Sequence, residues 1–318
     1  MTEQGKIPLP AAEESGSSLF ERAGRAFGFE ALRSAPVPAS VAAARQAVPS
    51  ADRPDTAPAP PSPSTGATGP VVFPGPRQAV DRSRLRAGGL IVPDGEVTTL
   101  VEEFRLIKRQ VLLAVREAQT AGSGPAAQRV LVCSPLPGEG KTFCATNLAL
   151  SIAVEKDVEV VLVDADFAKP SIPALLGLAA GKGLMDAFAD PQLRVEDCVV
   201  PTDIPNFFVL PAGHSTASDS EYLAAGHTAQ VLDRLTSGAP NRLLIFDSPP
   251  ALAASAAAEL AGHVGQALAV CRADRTGQRA LEDALTLLSA CPDIKLLLNA
   301  TDFSPSGRRF GAYHGHEG

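Results

Sequence analysis

Between Arg129 and Asn299 short apolar runs alternate with stretches of helical periodicity. The runs are Arg129–Ser134, Glu159–Val163, Asn206–Leu210, Leu243–Phe246, Gln266–Cys271 and Ile294–Asn299. Several are apolar at consecutive positions, the pattern of parallel strands buried on both faces. Helical patterns over Thr142–Val154, Ser220–Leu235, Ala254–Gly262 and Gly277–Ala290 supply the crossovers. The alternation predicts an α/β doubly wound domain, a mostly parallel sheet with helices on both faces. Upstream, Val97, Leu100, Val101, Phe104, Ile107, Val111 and Ala114 recur at helical spacing through Arg116. Thr99 and Glu102 form a capping box at the start of this predicted helix, 97–116.

Proline divides the chain. Of the 28 prolines, 14 fall in residues 1–95, and from Ser34 to Pro76 the sequence is mostly Ala, Pro, Ser, Thr and Gly. Such a composition buries too little apolar area to offset its ordering entropy. Residues 1–80 are therefore expected to be a disordered arm. One island stands out near 18–29, where Ser18 and Glu21 fit a capping box and Leu19, Phe20, Ala23 and Phe27 share a helical face. The folded domain is expected over 81–303, with a flexible tail over 304–318.

Charge and cysteine usage narrow the function classes. The net charge of −7 and the pI near 5.3 argue against a nucleic-acid binder, which needs a basic face. No apolar run is long enough to span a bilayer and the first residues carry no signal-peptide pattern, so the expectation is a cytoplasmic protein. The five cysteines form no C-x-x-C pair and read as small buried hydrophobes rather than a disulfide framework or zinc site.

The chemistry is concentrated in three places. The run Val130-Leu131-Val132-Cys133-Ser134 leads into Pro135-Leu136-Pro137-Gly138-Glu139-Gly140-Lys141-Thr142 and then into a helical pattern, the strand–loop–helix context of a phosphate-binding P-loop. Gly138 and Gly140 would let the backbone approach phosphate oxygens, with helix N-terminal amides aimed at the anion. Lys141 would reach the β- and γ-phosphates and the Thr142 hydroxyl could ligate Mg²⁺. One position departs from the motif, since Pro135 stands where the first glycine is expected. A second strand delivers Asp164 and Asp166 at its C-terminal end, and a third delivers Asp247 before Ser248-Pro249-Pro250. Strand C-terminal ends are where ligands gather in parallel sheets. Any one of these aspartates alone could instead be a helix cap.

Together these segments resemble the three Walker-type motifs of bacterial tyrosine kinases. Glu102-Glu103-Phe104-Arg105-Leu106-Ile107-Lys108 matches that family's E-x-x-R-x-x-R oligomerisation helix, with Lys108 for the last arginine. The resemblance runs from about Leu85 to Thr301 and favours the exosortase (PEP-CTERM)-associated branch of exopolysaccharide gene clusters. The residues that carry the branch are Glu103 to Arg109, Asp164 to Ser171, Leu210-Pro211-Ala212-Gly213, Val264-Gly265-Gln266 and Ser18 to Ala23.

The resemblance implies an ATP- and Mg²⁺-dependent autokinase that phosphorylates tyrosines in its own tail and forms rings through Glu102, Arg105 and Lys108. It also implies a membrane-spanning polysaccharide chain-length or export protein as partner, which would hold the chain at the inner membrane. Thr142, Asp164 and Asp247 are the expected metal ligands. Gly138 to Phe143 would contact nucleotide, and Asn299 would meet the base unless it is a turn residue. Asp164 or Asp166 would orient or deprotonate the tyrosine.

The tail departs from the family pattern. It reads SPSGRRFGAYHGHEG, so Tyr313 is its only acceptor. The other tyrosine, Tyr222, falls in a predicted helix and is expected to pack. His314 and His316 are expected to be solvated. Two rival readings follow. One is a nucleotide-gated assembly subunit of the export machinery with little kinase activity. The other is a Min/ParA-type ATPase, disfavoured because its signature lysine would fall at Leu136.

Overall fold

The computed structural model describes residues 69–216, 219–224 and 226–301. The island near 18–29, Tyr313, His314 and His316 lie outside them. The apolar runs form strands β1 (Arg129–Cys133), β2 (Glu159–Asp164), β4 (Phe207–Leu210), β5 (Arg242–Asp247), β6 (Gln266–Arg272) and β7 (Ile294–Asn299). A two-residue strand not anticipated from sequence, β3 (Val200–Pro201), pairs antiparallel to β4 at the sheet edge. The order is β3-β4-β2-β5-β1-β6-β7, and every other pairing is parallel. The order reverses direction between β1 and its two neighbours, so the loop after β1 opens at the switch point where doubly wound sheets bind ligands.

Strand side chains alternate between two cores. Val130, Val132, Val160, Leu162, Leu243 and Ile245 face one, together with Phe104 and Val111 of α2 (Thr99–Thr120) and Leu148 and Ile152 of α3 (Lys141–Ala153). Leu131, Val161, Val163, Leu244 and Phe246 face the other. Leu184 of α5 (Leu184–Ala189), Leu232 of α7 (Gly226–Thr236), Leu260 of α8 (Ala256–Ala261) and Ala284 of α9 (Gln278–Leu287) cover that side. The middles of β1, β2, β5 and β6 are thus apolar at consecutive positions because both faces are covered, whereas edge strand β7 leaves Leu296 and Leu298 exposed. All five cysteines are free and buried, Cys144 in the first core and Cys133, Cys198 and Cys291 in the second.

Three local expectations change. Thr98, not Thr99, caps α2: its hydroxyl accepts from the Val101 amide at 3.4 Å and its backbone is extended, so Thr99 is already helical. The single helix expected over Ser220–Leu235 is two, α6 (Asp219–Ala224) and α7. Short helices α1 (Arg82–Ala87) and α4 (Ile172–Leu176) were too brief for periodicity to show.

The largest correction concerns residues 69–80, expected as the end of a disordered arm. They form a strap along the β3–β4 edge of the sheet. Val71 and Phe73 are buried with the second core, and the Phe73 ring meets Phe208 edge-on at 4.9 Å. The buried Arg242 guanidinium sits 4.2 Å above the Phe73 ring and donates to the Val71 carbonyl at 2.9 Å. The Val71 amide donates to Ser237 O and the Gln78 amide to Pro201 O, while Asp203 N donates back to Gln78 O. Composition hid this strap because Val71-Val72-Phe73 between two prolines is too short a run to carry periodicity. The anchoring of Val71 and Phe73 depends on side chains more than 120 positions downstream.

Candidate nucleotide-binding site

The loop after β1 owes its shape to two glycines. Gly138 and Gly140 have φ of 78° and 98°, the left-handed region where a Cβ is strained. At Gly140 a Cβ would also collide with the Asn299 amide. Gly140 is the N-cap of α3 and supplies no side-chain cap, so the first amides of this 13-residue helix are open to an anion. Pro135 is accommodated at the first motif position: Ser134 Oγ donates to Leu136 O at 2.8 Å, and the Leu136 amide donates to Glu139 Oε2 at 2.7 Å.

The three aspartates are brought together but are not equivalent. Lys141 Nζ donates to Asp166 Oδ2 at 2.7 Å, lies 3.3 Å from Thr142 Oγ1 and is 3.8 Å from Asp247 Oδ1. Asp247 is fully buried, and neither of its carboxylate oxygens has a hydrogen-bond partner among the described residues. Burial pushes its carboxyl up to about 7, against the pull of the nearby Lys141 ammonium.

Asp164 is different. It accepts from the amides of Ser171 at 2.8 Å, Ile172 at 2.9 Å and Asp166 at 3.3 Å. Burial raises its carboxyl, and these amides oppose the shift. Asp164 therefore organises the turn into α4 through three backbone amides. Asp166 keeps one oxygen on Lys141, while its other oxygen accepts the Lys169 amide at 3.2 Å.

The other expected residues sort themselves by contact. Asn299 Nδ2 donates to the Glu139 carbonyl at 2.9 Å, so the end of β7 touches the P-loop. The Phe143 ring meets Phe104 of α2 edge-on at 6.4 Å. On α2, Glu102 and Arg105 form an intrahelical pair with both side chains partly exposed. Lys108 departs from them, reaching Glu155 at 2.6 Å and the Ser151 carbonyl at 3.1 Å at the far end of α3. Tyr222 is half-buried against the second core, a packing residue as expected. Sequence reasoning missed Thr276 and Arg272. They follow or end β6, and only the proximity of that strand to β1 brings them to the P-loop.

The sheet order, the glycine loop and the paired lysine and aspartates define a P-loop NTPase fold. A family model described as ParA, NUBPL iron-transfer P-loop NTPase, matches residues 126–253. The chain's curated homologues include tyrosine-protein kinases. It is 28% identical over 189 residues to tyrosine-protein kinase wzc of Salmonella typhimurium, covering 59% of this chain and 25% of that protein. It is 26% identical over 190 residues to tyrosine-protein kinase YwqD of Bacillus subtilis, covering 60% of this chain and 76% of that one. Of the long relatives the chain spans only about a quarter, from 23% to 27%. Among solved structures, the kinase domain of Escherichia coli tyrosine kinase ETK superposes with a TM-score of 0.56 at 21% identity, over 72% of this chain and 91% of that one. That likeness establishes a shared fold.

Proposed function

We propose that the chain is an ATP-dependent protein-tyrosine autokinase of polysaccharide biosynthesis. The observation that carries the reading is Lys141 held on Asp166 at 2.7 Å, with Asp247 buried 3.8 Å from the same ammonium and without a hydrogen bond of its own. A triphosphate entering the glycine loop offers Lys141 a stronger anion, and its departure frees Asp166. Asp166 then accepts the proton of a tyrosine hydroxyl as that oxygen attacks the γ-phosphorus. The bond from the γ-phosphorus to the β–γ bridging oxygen breaks, and ADP leaves with that oxygen. Lys141 and the α3 amides hold the phosphates while charge redistributes.

The orphaned oxygens of Asp247 and the neighbouring Thr142 hydroxyl suit Mg²⁺, which takes one or two protein oxygens beside phosphate and water. Mg²⁺ supplies charge neutralisation on the β- and γ-phosphates when bound.

Tyr313 is the acceptor we assign, since Tyr222 is half-buried in packing. Partnership with a membrane-spanning chain-length or export protein, ring assembly through Glu102 and Arg105, and attachment to the inner membrane through that partner complete the proposal. Among the described residues no helix is long and apolar enough to cross a membrane. A single tail tyrosine favours a second reading, a nucleotide-gated assembly subunit of the same machinery. Intact-mass spectrometry after incubation with Mg-ATP separates the two. A single added phosphate, lost in Tyr313→Phe and in Lys141→Ala, supports the kinase. No added phosphate on a protein that binds ATP supports the assembly subunit.

A further inference from the structure

Glu139 sits between the two left-handed glycines of the P-loop and is only 2% exposed. A carboxylate there is unexpected in a loop built to receive anions. Both of its oxygens are taken by neighbouring backbone and hydroxyl groups. Oε2 accepts the Leu136 amide at 2.7 Å, three residues back in the same loop. Oε1 accepts the Thr276 hydroxyl, from the loop that follows β6. The Thr276 oxygen in turn accepts the Arg272 amide at 2.8 Å. Arg272 reaches back with its guanidinium to the Gly138 carbonyl at 3.3 Å. The Glu139 carbonyl takes the Asn299 amide at 2.9 Å, and the Asn299 carbonyl takes the Ala273 amide at 2.9 Å.

The loops after β1 and β6 and the end of β7 are therefore closed into one ring of hydrogen bonds, and the Glu139 carboxylate is its centre. Hydrogen bonds to an ionised acceptor are among the stronger ones, and burial keeps water from competing for this one.

We propose that Glu139 and Thr276 form a clasp that holds the P-loop open in its phosphate-receiving shape, making both positioning residues for nucleotide. This rests on the P-loop reading above. Neither side chain needs to touch the ligand. Without the clasp the glycine-flanked loop must be ordered at the moment of binding, and that ordering cost appears as lost affinity. The effect falls on the phosphate tail, because the loop it shapes is the one that carries Gly138, Gly140 and Lys141. Thr276 was invisible to motif reasoning because it stands 137 residues from Glu139.

The test measures binding of a fluorescent ADP analogue to the full chain. Thr276→Val keeps the side-chain shape and removes the hydroxyl; about a tenfold loss of affinity is expected, the scale of one hydrogen bond to a charged group. Thr276→Ser restores the hydroxyl and should return wild-type affinity, a rescue that a packing role for the threonine methyl would not give. Glu139→Gln leaves one good acceptor and should fall between the two. In the Glu139→Gln background Thr276→Val should cost less than it does alone. Thermal melting of each variant without nucleotide checks that the fold is intact. Wild-type affinity in Thr276→Val, or failure of serine to rescue, overturns the clasp. Lys141→Ala run alongside separates that outcome from failure of the P-loop reading itself. If Lys141→Ala also binds normally, the nucleotide site is elsewhere; if it alone loses binding, only the clasp is wrong.

Discussion

The strap edge and the nucleotide end of the same sheet are built on opposite rules. Along residues 69–91 polar groups are paired off. Asp203 accepts both the Val80 amide at 2.9 Å and the Arg82 guanidinium at 2.7 Å, and Asp81 caps α1. Arg84 reaches the Ala174 carbonyl at 2.6 Å, and the Ile91 amide donates to Asn147 Oδ1 at 2.7 Å inside the core. At the C-terminal ends of β1, β2 and β5 the balance is left incomplete. Asp247 is buried with no hydrogen-bond partner, the first turn of α3 has no side-chain cap, and one lysine is shared among carboxylates. Unmet buried groups are costly to the empty protein. Single buried atoms are unmet elsewhere too, Asn147 Nδ2 and Gln266 Oε1 among them, but Asp247 is the carboxylate with both oxygens unmet among the described residues, and that marks where a ligand completes the structure.

Four experiments would break or sharpen that contrast. The largest effect is expected from removing the strap. Truncation through residue 80 withdraws Val71 and Phe73 from the core, at about 1.5–3 kcal/mol each, which for a domain this size lowers the melting temperature by about 10 °C. Truncation through residue 68 should leave melting unchanged. Equal melting of the two forms would show that the strap contributes nothing.

Next in size is Lys141→Ala, which should weaken ATP binding by about tenfold to a hundredfold, read by calorimetry. The same change removes the one cation between Asp166 and Asp247, so empty-protein stability should fall too. A variant that binds ATP normally would remove the nucleotide end from the comparison.

The third test concerns α2. Glu102→Ala with Arg105→Ala alters an exposed intrahelical pair, so melting should hardly move, while the mass in light scattering should drop to that of a monomer. Lys108→Ala should behave in the opposite sense, lowering melting because it cuts the tie to Glu155 and Ser151. Unchanged mass in the double variant would make Glu102 and Arg105 ordinary surface.

The smallest effect is expected at Asp203. Burial alone would raise its carboxyl, but the Arg82 guanidinium and Val80 amide overcome this and hold it below the usual 3.8. A depressed carboxylate contributes stability that is present above 3.8 and lost as pH falls through the lower folded value. Asp203→Asn should therefore melt lower than wild type near neutrality, by less than about 1 kcal/mol for so exposed a pair, and converge with it in acid. A gap that persists in acid would mean the charge is not what matters.

Local chemistry was legible in the chain. The central strands β1, β2, β5 and β6 could be read because both faces are covered, so each appears as an apolar run. The P-loop could be read because left-handed glycines before Lys141-Thr142 have few other uses. The aspartates could be read because they end strands. These features are set by residues within about ten positions of one another, and neighbouring physics suffices to interpret them.

Tertiary structure decided what each of the three aspartates meets. Asp164 and Asp247 occupy paired positions on adjacent strands, each ending an apolar run. Asp164 meets the amides that begin α4, whereas Asp247 meets no backbone amide and faces Lys141, Thr142 and the other two aspartates. Tertiary structure also anchored Phe73 under Arg242 and set Thr276 on Glu139. Each of these depends on strand order, because a buried polar group takes whatever partner the neighbouring strand or loop presents, and the partner's distance along the chain places no limit on that choice.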